Sequence, residues 1–251
     1  MRFCSLGSGS RGNGTVVQSG NRSVLIDCGF PFKELCRRLA LRQLQAEDLD
    51  AILVTHEHGD HWRGVGVVAR KLNIPVFMTK GTYRVVRQEK IPEIELFNCH
   101  QSFQLDDLTV QPFPVPHDAV EAAQFVFEHE GSRLGIATDL GSVSNHVTSM
   151  LTGCDALLME FNHDEQMLRE GPYSASLKRR VGGNFGHLNN RQSQELVDSL
   201  DKTDLNMLVA AHLSEQNNTP EKVKASIEEL GFKDENYTIA DQQLGTDWIE
   251  V

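Results

Sequence analysis

The 251-residue sequence lacks several features that would assign it to other classes of protein. Its five cysteines are scattered and form no Cys-x-x-Cys pair, which argues against a disulfide framework or a thiolate zinc site. No apolar run is long enough to cross a membrane and no apolar block near the start resembles a secretion signal, so we expect a cytoplasmic protein that does not contact a membrane. Repeats, low-complexity tracts and linkers are also missing, and we expect a single domain over residues 1–251.

Positive charge and aromatic side chains are scarce. The formal net charge is -11, and aromatic residues make up 7% of the chain in dispersed positions. Because phosphate binding depends mainly on lysine and arginine, this charge disfavours nonspecific wrapping of nucleic acid, and no base-stacking platform is predicted. Bound divalent ions would reverse the charge locally, so the net charge alone does not decide against a nuclease.

One short stretch is rich in potential metal ligands. Residues 51–54 form an apolar run that predicts a buried strand, and residues 55–61 follow it with the sequence Thr-His-Glu-His-Gly-Asp-His. Imidazole nitrogens and carboxylate oxygens bind borderline divalent ions such as zinc or manganese. A lone histidine usually faces water, but four ligand-type residues so close together favour a metal site. They are His56, His58, Asp60 and His61.

Four later apolar runs also end in potential ligands. Residues 110–115 lead to His117, residues 134–138 to Asp139, residues 156–159 to Glu160, and residues 207–211 to His212. A rigid scaffold commonly presents catalytic groups on the loops that follow its strands. We therefore expect these side chains to converge if the strand ends meet at one edge of the sheets.

The rest of the pattern predicts mixed helices and strands, which fits an α/β (α+β) fold with two layers of sheet covered by helices. A glycine- and serine-rich turn over residues 7–14 favours a plain hairpin over a phosphate cradle, because it matches neither a P-loop nor a dinucleotide motif. Helices are predicted at residues 33–44, 64–72 and 220–230, further strands at 2–6, 15–18, 23–26, 75–79, 237–240 and 248–251, and a hairpin between 125 and 136.

The stretch 55–61 resembles the H-x-H-x-D-H motif of the metallo-β-lactamase-fold hydrolases, and His117, Asp139 and His212 follow in the order of that family. The resemblance implies an αββα four-layer sandwich with a dinuclear site of zinc or manganese, or alternatively iron, at one edge. Two ions about 3.5–4 Å apart can convert a bridging water to hydroxide near neutral pH. The implied ligands are His56, His58 and His117 for the first ion, Asp60, His61 and His212 for the second, and Asp139 between them, with Asp27 bracing the loop.

Narrower features resemble the YycJ/WalJ-like branch, which is related to tRNase Z and the β-CASP nucleases. They are residues 5–13, 160–164, 186–190, 212–214 and 217–218. This resemblance implies a two-metal phosphodiesterase that acts as a 5′-to-3′ exonuclease on nucleic acid, DNA rather than RNA. In it His187 protonates the leaving oxygen and Asp60 helps to orient the attacking metal-bound hydroxide. Ser8, Ser10, Asn13 and His163 are expected to contact the substrate.

Other interpretations remain open at this point. The same metals could serve a small-molecule hydrolase such as a thioesterase, lactonase or cyclic phosphodiesterase, or could stabilise a non-enzymatic binding protein. His163 could belong to a helix cap, and the run Lys178-Arg179-Arg180 could be a solvated surface or a contact to the nucleic-acid backbone. The oligomeric state is not predicted.

Overall fold

The computed structural model describes residues 1–87 and 90–251, and within them the strands pair into two seven-stranded sheets. The strands are β1 (Arg2–Gly7), β2 (Gly14–Ser19), β3 (Arg22–Ile26), β4 (Ala51–Leu53), β5 (Val76–Thr79), β6 (Ile94–Phe97), β7 (Phe103–Leu105), β8 (Leu108–Pro114), β9 (Ala123–His129), β10 (Ser132–Ala137), β11 (Ala156–Glu160), β12 (Met207–Ala211), β13 (Tyr237–Ile239) and β14 (Ile249–Glu250). The first sheet has the order β14-β1-β2-β3-β4-β5-β6 and the second the order β13-β12-β11-β10-β9-β8-β7.

Helices cover the outer faces of both sheets. They are α1 (Phe32–Ala40), α2 (Gly59–Trp62), α3 (Val65–Leu72), α4 (Lys80–Val86), α5 (Asn145–Leu151), α6 (Glu165–Glu170), α7 (Ala175–Val181), α8 (Asn190–Ser199) and α9 (Pro220–Glu229), with short 3-10 turns at Ala46–Asp48 and Asp234–Asn236. Among the described residues, none of the helices has the length and apolar character needed to cross a bilayer.

The period-two alternation of the strands explains the layers. In β3, Val24 and Ile26 join a core cluster that also takes Phe125 and Leu158 from the second sheet, whereas Leu25 packs with the helices on the opposite face. Successive side chains of a strand point to opposite faces, so each apolar strand here supplies two cores. The predicted αββα four-layer sandwich is thereby confirmed.

Parallel pairing brings the chemically important strand ends to one edge. Strands β3 and β4 run parallel with Ile26 opposite Leu53, and β10, β11 and β12 run parallel with Glu160 opposite Ala211. The residues that follow the carboxyl ends of parallel neighbours must lie side by side. This register positions the candidate metal ligands, although they come from distant parts of the sequence.

The hairpins at residues 7–14 and 125–136 and the helix that starts with the Thr219 cap are confirmed. The helix predicted over residues 33–44 is wrong at its end, since α1 stops at Ala40. Gln43 has φ of 59°, and the amides of Gln43 and Leu44 bond back to the carbonyls of Ala40 and Leu39. This is a Schellman ending with glutamine in the position that glycine usually takes, so the sequence carried no signal for it.

Candidate metal centre

Asp27 holds the ligand-rich loop in place. Its Oδ1 accepts a hydrogen bond from the Thr55 amide (2.8 Å), and its Oδ2 accepts from the Thr55 hydroxyl and from His61 Nδ1 (2.7 Å each). Gly29 lies so close to the loop that a Cβ on it would stand 1.9 Å from the Asp60 carbonyl oxygen. These contacts support the expected role of Asp27 in bracing the ligand-rich loop, which stays a prediction.

Four imidazoles present the same ring nitrogen to a common centre because their other nitrogen is occupied. The Nδ1 atoms of His61, His117 and His212 lie 2.7–3.0 Å from Asp27, the Gly186 carbonyl and Glu160, all of which can only accept hydrogen bonds. His56 Nδ1 is 2.9 Å from the Thr55 hydroxyl. A partner that only accepts fixes the proton on Nδ1, so the Nε2 lone pair faces the centre, as in metal-ligating histidines.

Asp139 lies between the two groups of imidazoles. Its Oδ2 is 3.3 Å from His61 Nε2, and its Oδ1 is 3.9 Å from His117 Nε2. Asp60 Oδ2 is 3.7 Å from His61 Nε2 and 3.8 Å from His212 Nε2, and His58 Nδ1 is 3.2 Å from His117 Nε2. The sequence-predicted ligands therefore come together, in groups that include His56–His58–His117 and Asp60–His61–His212.

Buried polar atoms without a hydrogen-bond partner indicate whether the predicted ligands fit metal ions. Within residues 1–87 and 90–251, His56 Nε2, Asp139 Oδ2 and His212 Nε2 are buried without a hydrogen-bond partner. A buried polar atom without a partner costs about 1–3 kcal/mol, so three at one place require an explanation. Divalent cations would satisfy all three, and the mixture of imidazole and carboxylate suits zinc or manganese.

Three residues of the metal centre and its support have strained backbone conformations. Asp27, Asp139 and His212 have φ values of 59°, 56° and 58°, and each follows closely on the end of a strand. The left-handed region is uncommon for residues other than glycine and costs of order 1 kcal/mol or more. Such strain concentrates at functional sites, where the surrounding structure maintains it.

The charges at the centre favour cations. Burial alone would lower the pKa of His61, but the carboxylates of Asp139 and Asp27 outweigh it and raise this pKa to about 9. Burial is likewise overcome at His212, where Asp139 and Asp60 raise the pKa well above its usual range. The pKa of His56 falls well below the usual range because of burial and the neighbouring imidazoles. Metal ions can take the place of these protons, since ligation requires deprotonated imidazole.

Glu160 was the residue whose role sequence reasoning missed. It is fully buried at the end of β11, and its carboxylate accepts hydrogen bonds from the backbone amides of Asp139, Leu140 and Leu188. Its Oε1 also contacts His187 Nδ1 (2.8 Å) and His212 Nδ1 (2.9 Å). The apolar run before it marked Glu160 as a potential ligand, but its partners lie in three distant segments.

A cavity of about 210 Å³ opens over the centre and contains His187. It is lined by Ser10, His58, Asp60, Asp118, Asp139, Asn162, Tyr173, Arg180, Val181, Gly186, His187, His212 and Ser214. The loop that carries His187 precedes α8, and Asn189 caps that helix through a reciprocal bond pattern with Gln192. His187 is therefore accessible from the cavity.

The structure separates the four residues expected to contact substrate. Ser10 lines the cavity, whereas the Ser8 hydroxyl accepts a hydrogen bond from the His212 amide (2.8 Å). Asn13 Oδ1 accepts from the Gly9 amide, and its Nδ2 lies 3.0 Å from His61 Nε2. His163 is 2% exposed, and Asp164 rather than His163 caps the following helix. Substrate contact by these residues stays a prediction.

The fold and this centre define a metal-dependent hydrolase of the metallo-β-lactamase fold. Similarity to known proteins agrees with this assignment. A family model described as a beta-lactamase superfamily domain matches residues 22–212. The chain is 33% identical over 240 residues to exodeoxyribonuclease YycJ of Bacillus anthracis, covering 92% of this chain and 91% of that protein. It is 32% identical over 227 residues to exodeoxyribonuclease WalJ of Streptococcus pneumoniae serotype 2, covering 88% and 84%. The chain thus belongs to the YycJ/WalJ family within the metallo-β-lactamase superfamily.

A solved structure supports the fold. The Zn²⁺-bound PqqB from Methylobacterium extorquens aligns with a TM-score of 0.75 over 100% of both chains, at 17% sequence identity. At that identity the likeness concerns the arrangement of sheets and helices.

Proposed function

We propose that this protein is a two-metal phosphodiesterase that removes nucleotides from the 5′ end of DNA. The observation that carries the proposal is the meeting of seven ligand-type side chains at one small cavity, which is lined by four of them and by the carboxylate-bound histidine His187. The names of the curated relatives support DNA as the substrate. The 5′-to-3′ polarity rests on the family resemblance of the sequence motifs.

We divide the ligands between two ions as the family resemblance implied. His56, His58 and His117 would hold one ion, Asp60, His61 and His212 the other, and Asp139 would contact both. Divalent ions bound there supply Lewis-acid activation of water and of phosphate oxygens. The chain itself contributes the orientation of the ligands through Asp27, Glu160 and the Gly186 carbonyl.

His187 and Asp60 would carry the proton chemistry. Glu160 accepts a hydrogen bond from His187 Nδ1 and so orients the ring, and the Nε2–H of His187 would protonate the leaving oxygen. Burial would raise the pKa of Asp60, but the imidazole of His212, 3.8 Å from its Oδ2, and the charge of His61 hold this pKa well below the usual range. Asp60 therefore stays ionised and can accept a hydrogen bond from the attacking water.

End-labelled substrates test this proposal. The manganese- or zinc-loaded protein is given 5′- and 3′-labelled single- and double-stranded DNA and RNA, with Asp60→Ala as the inactive control. We expect the wild type to release labelled mononucleotide early from the 5′-labelled DNA. No cleavage by the wild type, or equal cleavage by Asp60→Ala, would refute the nuclease.

A small-molecule hydrolase is the second candidate, and two observations favour it. The cavity of about 210 Å³ is small, and the chain carries a net charge of -11. A thioester, lactone and cyclic phosphodiester panel run beside the nucleic acids decides between the two. Rapid turnover of one of these compounds with no cleavage of nucleic acid would establish this second candidate.

A further inference from the structure

Arg180 differs from its neighbours in the run Lys178-Arg179-Arg180. Lys178 Nζ donates to the Arg169 carbonyl (2.7 Å), and Arg179 is exposed and does not line the cavity. Arg180 lines the cavity and is the one lysine or arginine among the described residues that do so. Only this residue of the run therefore faces the metal centre.

Asp118 orients the guanidinium of Arg180. Its Oδ2 accepts the Arg180 Nε–H (2.5 Å), and none of the residues that the structure describes accepts a hydrogen bond from the two terminal amino groups of Arg180. The side chain remains 58% exposed. A guanidinium held at one edge in the lining of an open cavity, with donors left for a ligand, suits recognition of a phosphate.

The loop after Arg180 is fixed and presents an aromatic ring. The Phe185 carbonyl accepts from the Asp118 amide (2.9 Å), and a Cβ on Gly141 would stand 2.4 Å from the Phe185 Cα. The next residue, Gly186, lines the cavity and accepts a hydrogen bond from His117 Nδ1. Phe185 is nevertheless 63% exposed, so a tightly held backbone displays a large apolar side chain one residue before the cavity-lining Gly186.

We infer that Arg180 and Phe185 form a nucleotide-binding wall, in which Arg180 binds a backbone phosphate next to the scissile one and Phe185 stacks on a neighbouring base. This inference rests on the proposed function and names single-stranded nucleic acid as the form bound at the wall. Base–aromatic stacking tolerates any sequence, and an arginine on a phosphate adds affinity that falls with salt. Arg180 and Phe185 would thus supply locally the positive charge and the aromatic surface that are scarce in the chain as a whole.

The test compares an oligonucleotide with a small diester. KM is measured for single-stranded DNA and kcat for bis(p-nitrophenyl) phosphate, which has neither a flanking phosphate nor a base, using metal-loaded wild type, Arg180→Ala, Phe185→Ala and the matched control Arg179→Ala. We expect Arg180→Ala and Phe185→Ala each to raise KM for DNA about tenfold, the scale of one lost stack or phosphate contact. Arg179→Ala should match the wild type on both substrates, and Arg180→Ala and Phe185→Ala should impair DNA cleavage more than hydrolysis of the small diester.

Two further measurements separate the two contacts. Arg180→Ala should reduce the slope of log KM against log salt by about one, while Arg180→Lys should restore the slope but only part of the affinity. The defect of Phe185→Ala should vanish on an oligonucleotide that is abasic at the stacked position. Circular dichroism and metal content confirm that each variant is folded and loaded.

The outcomes distinguish this inference from the proposed function. Wild type that cleaves DNA while Arg180→Ala and Phe185→Ala keep its KM and salt slope would refute the wall alone. An equal defect of Phe185→Ala on normal and abasic DNA would refute the stacking. Wild type that hydrolyses the small diester but neither binds nor cleaves DNA would refute the proposed function and the wall with it.

Discussion

Replacing Glu160 by glutamine should weaken both the fold and the metal centre. The carboxylate is fully buried and accepts hydrogen bonds from three backbone amides and two imidazole Nδ1 atoms. A glutamine of the same shape places an amide N–H₂ against donors whichever way it is turned. If that group replaces Oε2, it faces the amides of Leu140 and Leu188.

The magnitude follows from the hydrogen bonds that are lost. Each hydrogen bond to a charged group contributes about 1.5–3 kcal/mol, so the loss of two in a buried place costs about 3–6 kcal/mol. For a chain of 251 residues, 3 kcal/mol corresponds to a fall in Tm of about 6–12 °C. If the amide instead replaces Oε1, it donates to the Nδ1 of His212 and forces the proton onto Nε2, which removes a metal ligand.

Thermal unfolding in the presence of a chelator measures the first effect without the contribution of metal binding. Calorimetric titration of metal-stripped protein measures the second, where we expect affinity to fall about 10- to 100-fold, as for other partners of metal-bound histidines. Glu165→Gln is the matched control, because Glu165 is exposed in the helix that follows. Unchanged Tm together with unchanged metal affinity in Glu160→Gln would refute this reasoning.

Three further predictions follow from the same contacts. His187→Ala should keep its metals but lose turnover by about 10²–10⁴, seen by metal analysis beside a cleavage assay, and loss of metal in this variant would make His187 a ligand instead. Asp27→Asn should lower the free energy of unfolding of the apo-protein in urea by about 2–3 kcal/mol, because Asp27 accepts hydrogen bonds from the Thr55 amide and hydroxyl and from His61. The control is Asp247→Asn at an exposed position. Equal urea midpoints for the two variants would contradict the bracing role of Asp27. Burial lowers the pKa of His163 from 6.5 to about 4, so the native state resists its protonation and stability falls as pH drops from 6.5 towards 4, by about 3 kcal/mol at most. Urea unfolding of the wild type and His163→Gln across that range should converge at low pH, whereas parallel curves would contradict the account.

The ligand set could be predicted because local patterns carried it. Each of His56, His117, Asp139 and His212 comes soon after an apolar run that forms a strand, and the order of these residues matches a known motif. A strand that runs parallel to its neighbours delivers its last residues to the same edge. The strand ends therefore predicted convergence on the condition that they share one edge, and the resemblance to a known motif implied the ligand set.

The supporting contacts could not be predicted in the same way. The partners of Glu160 come from three other segments of the chain, and the hydroxyl of Ser8 reaches the amide of His212 across 204 positions of sequence. The exposure of Phe185 depends on how its loop packs against Asp118 and Gly141. Such tertiary contacts leave no periodic signal, and for this reason the sequence did not distinguish Phe185 from the other dispersed aromatic residues.

Metal back-titration of the stripped protein, with cleavage of 5′-labelled single-stranded DNA as the readout, tests the central claim most directly. The two ligand groups around Asp139 predict no cleavage without metal, a plateau at two equivalents of manganese or zinc, and a labelled mononucleotide as the first product. Cleavage that survives complete removal of metal, a plateau at one equivalent, or an internal fragment as the first labelled product would contradict the account.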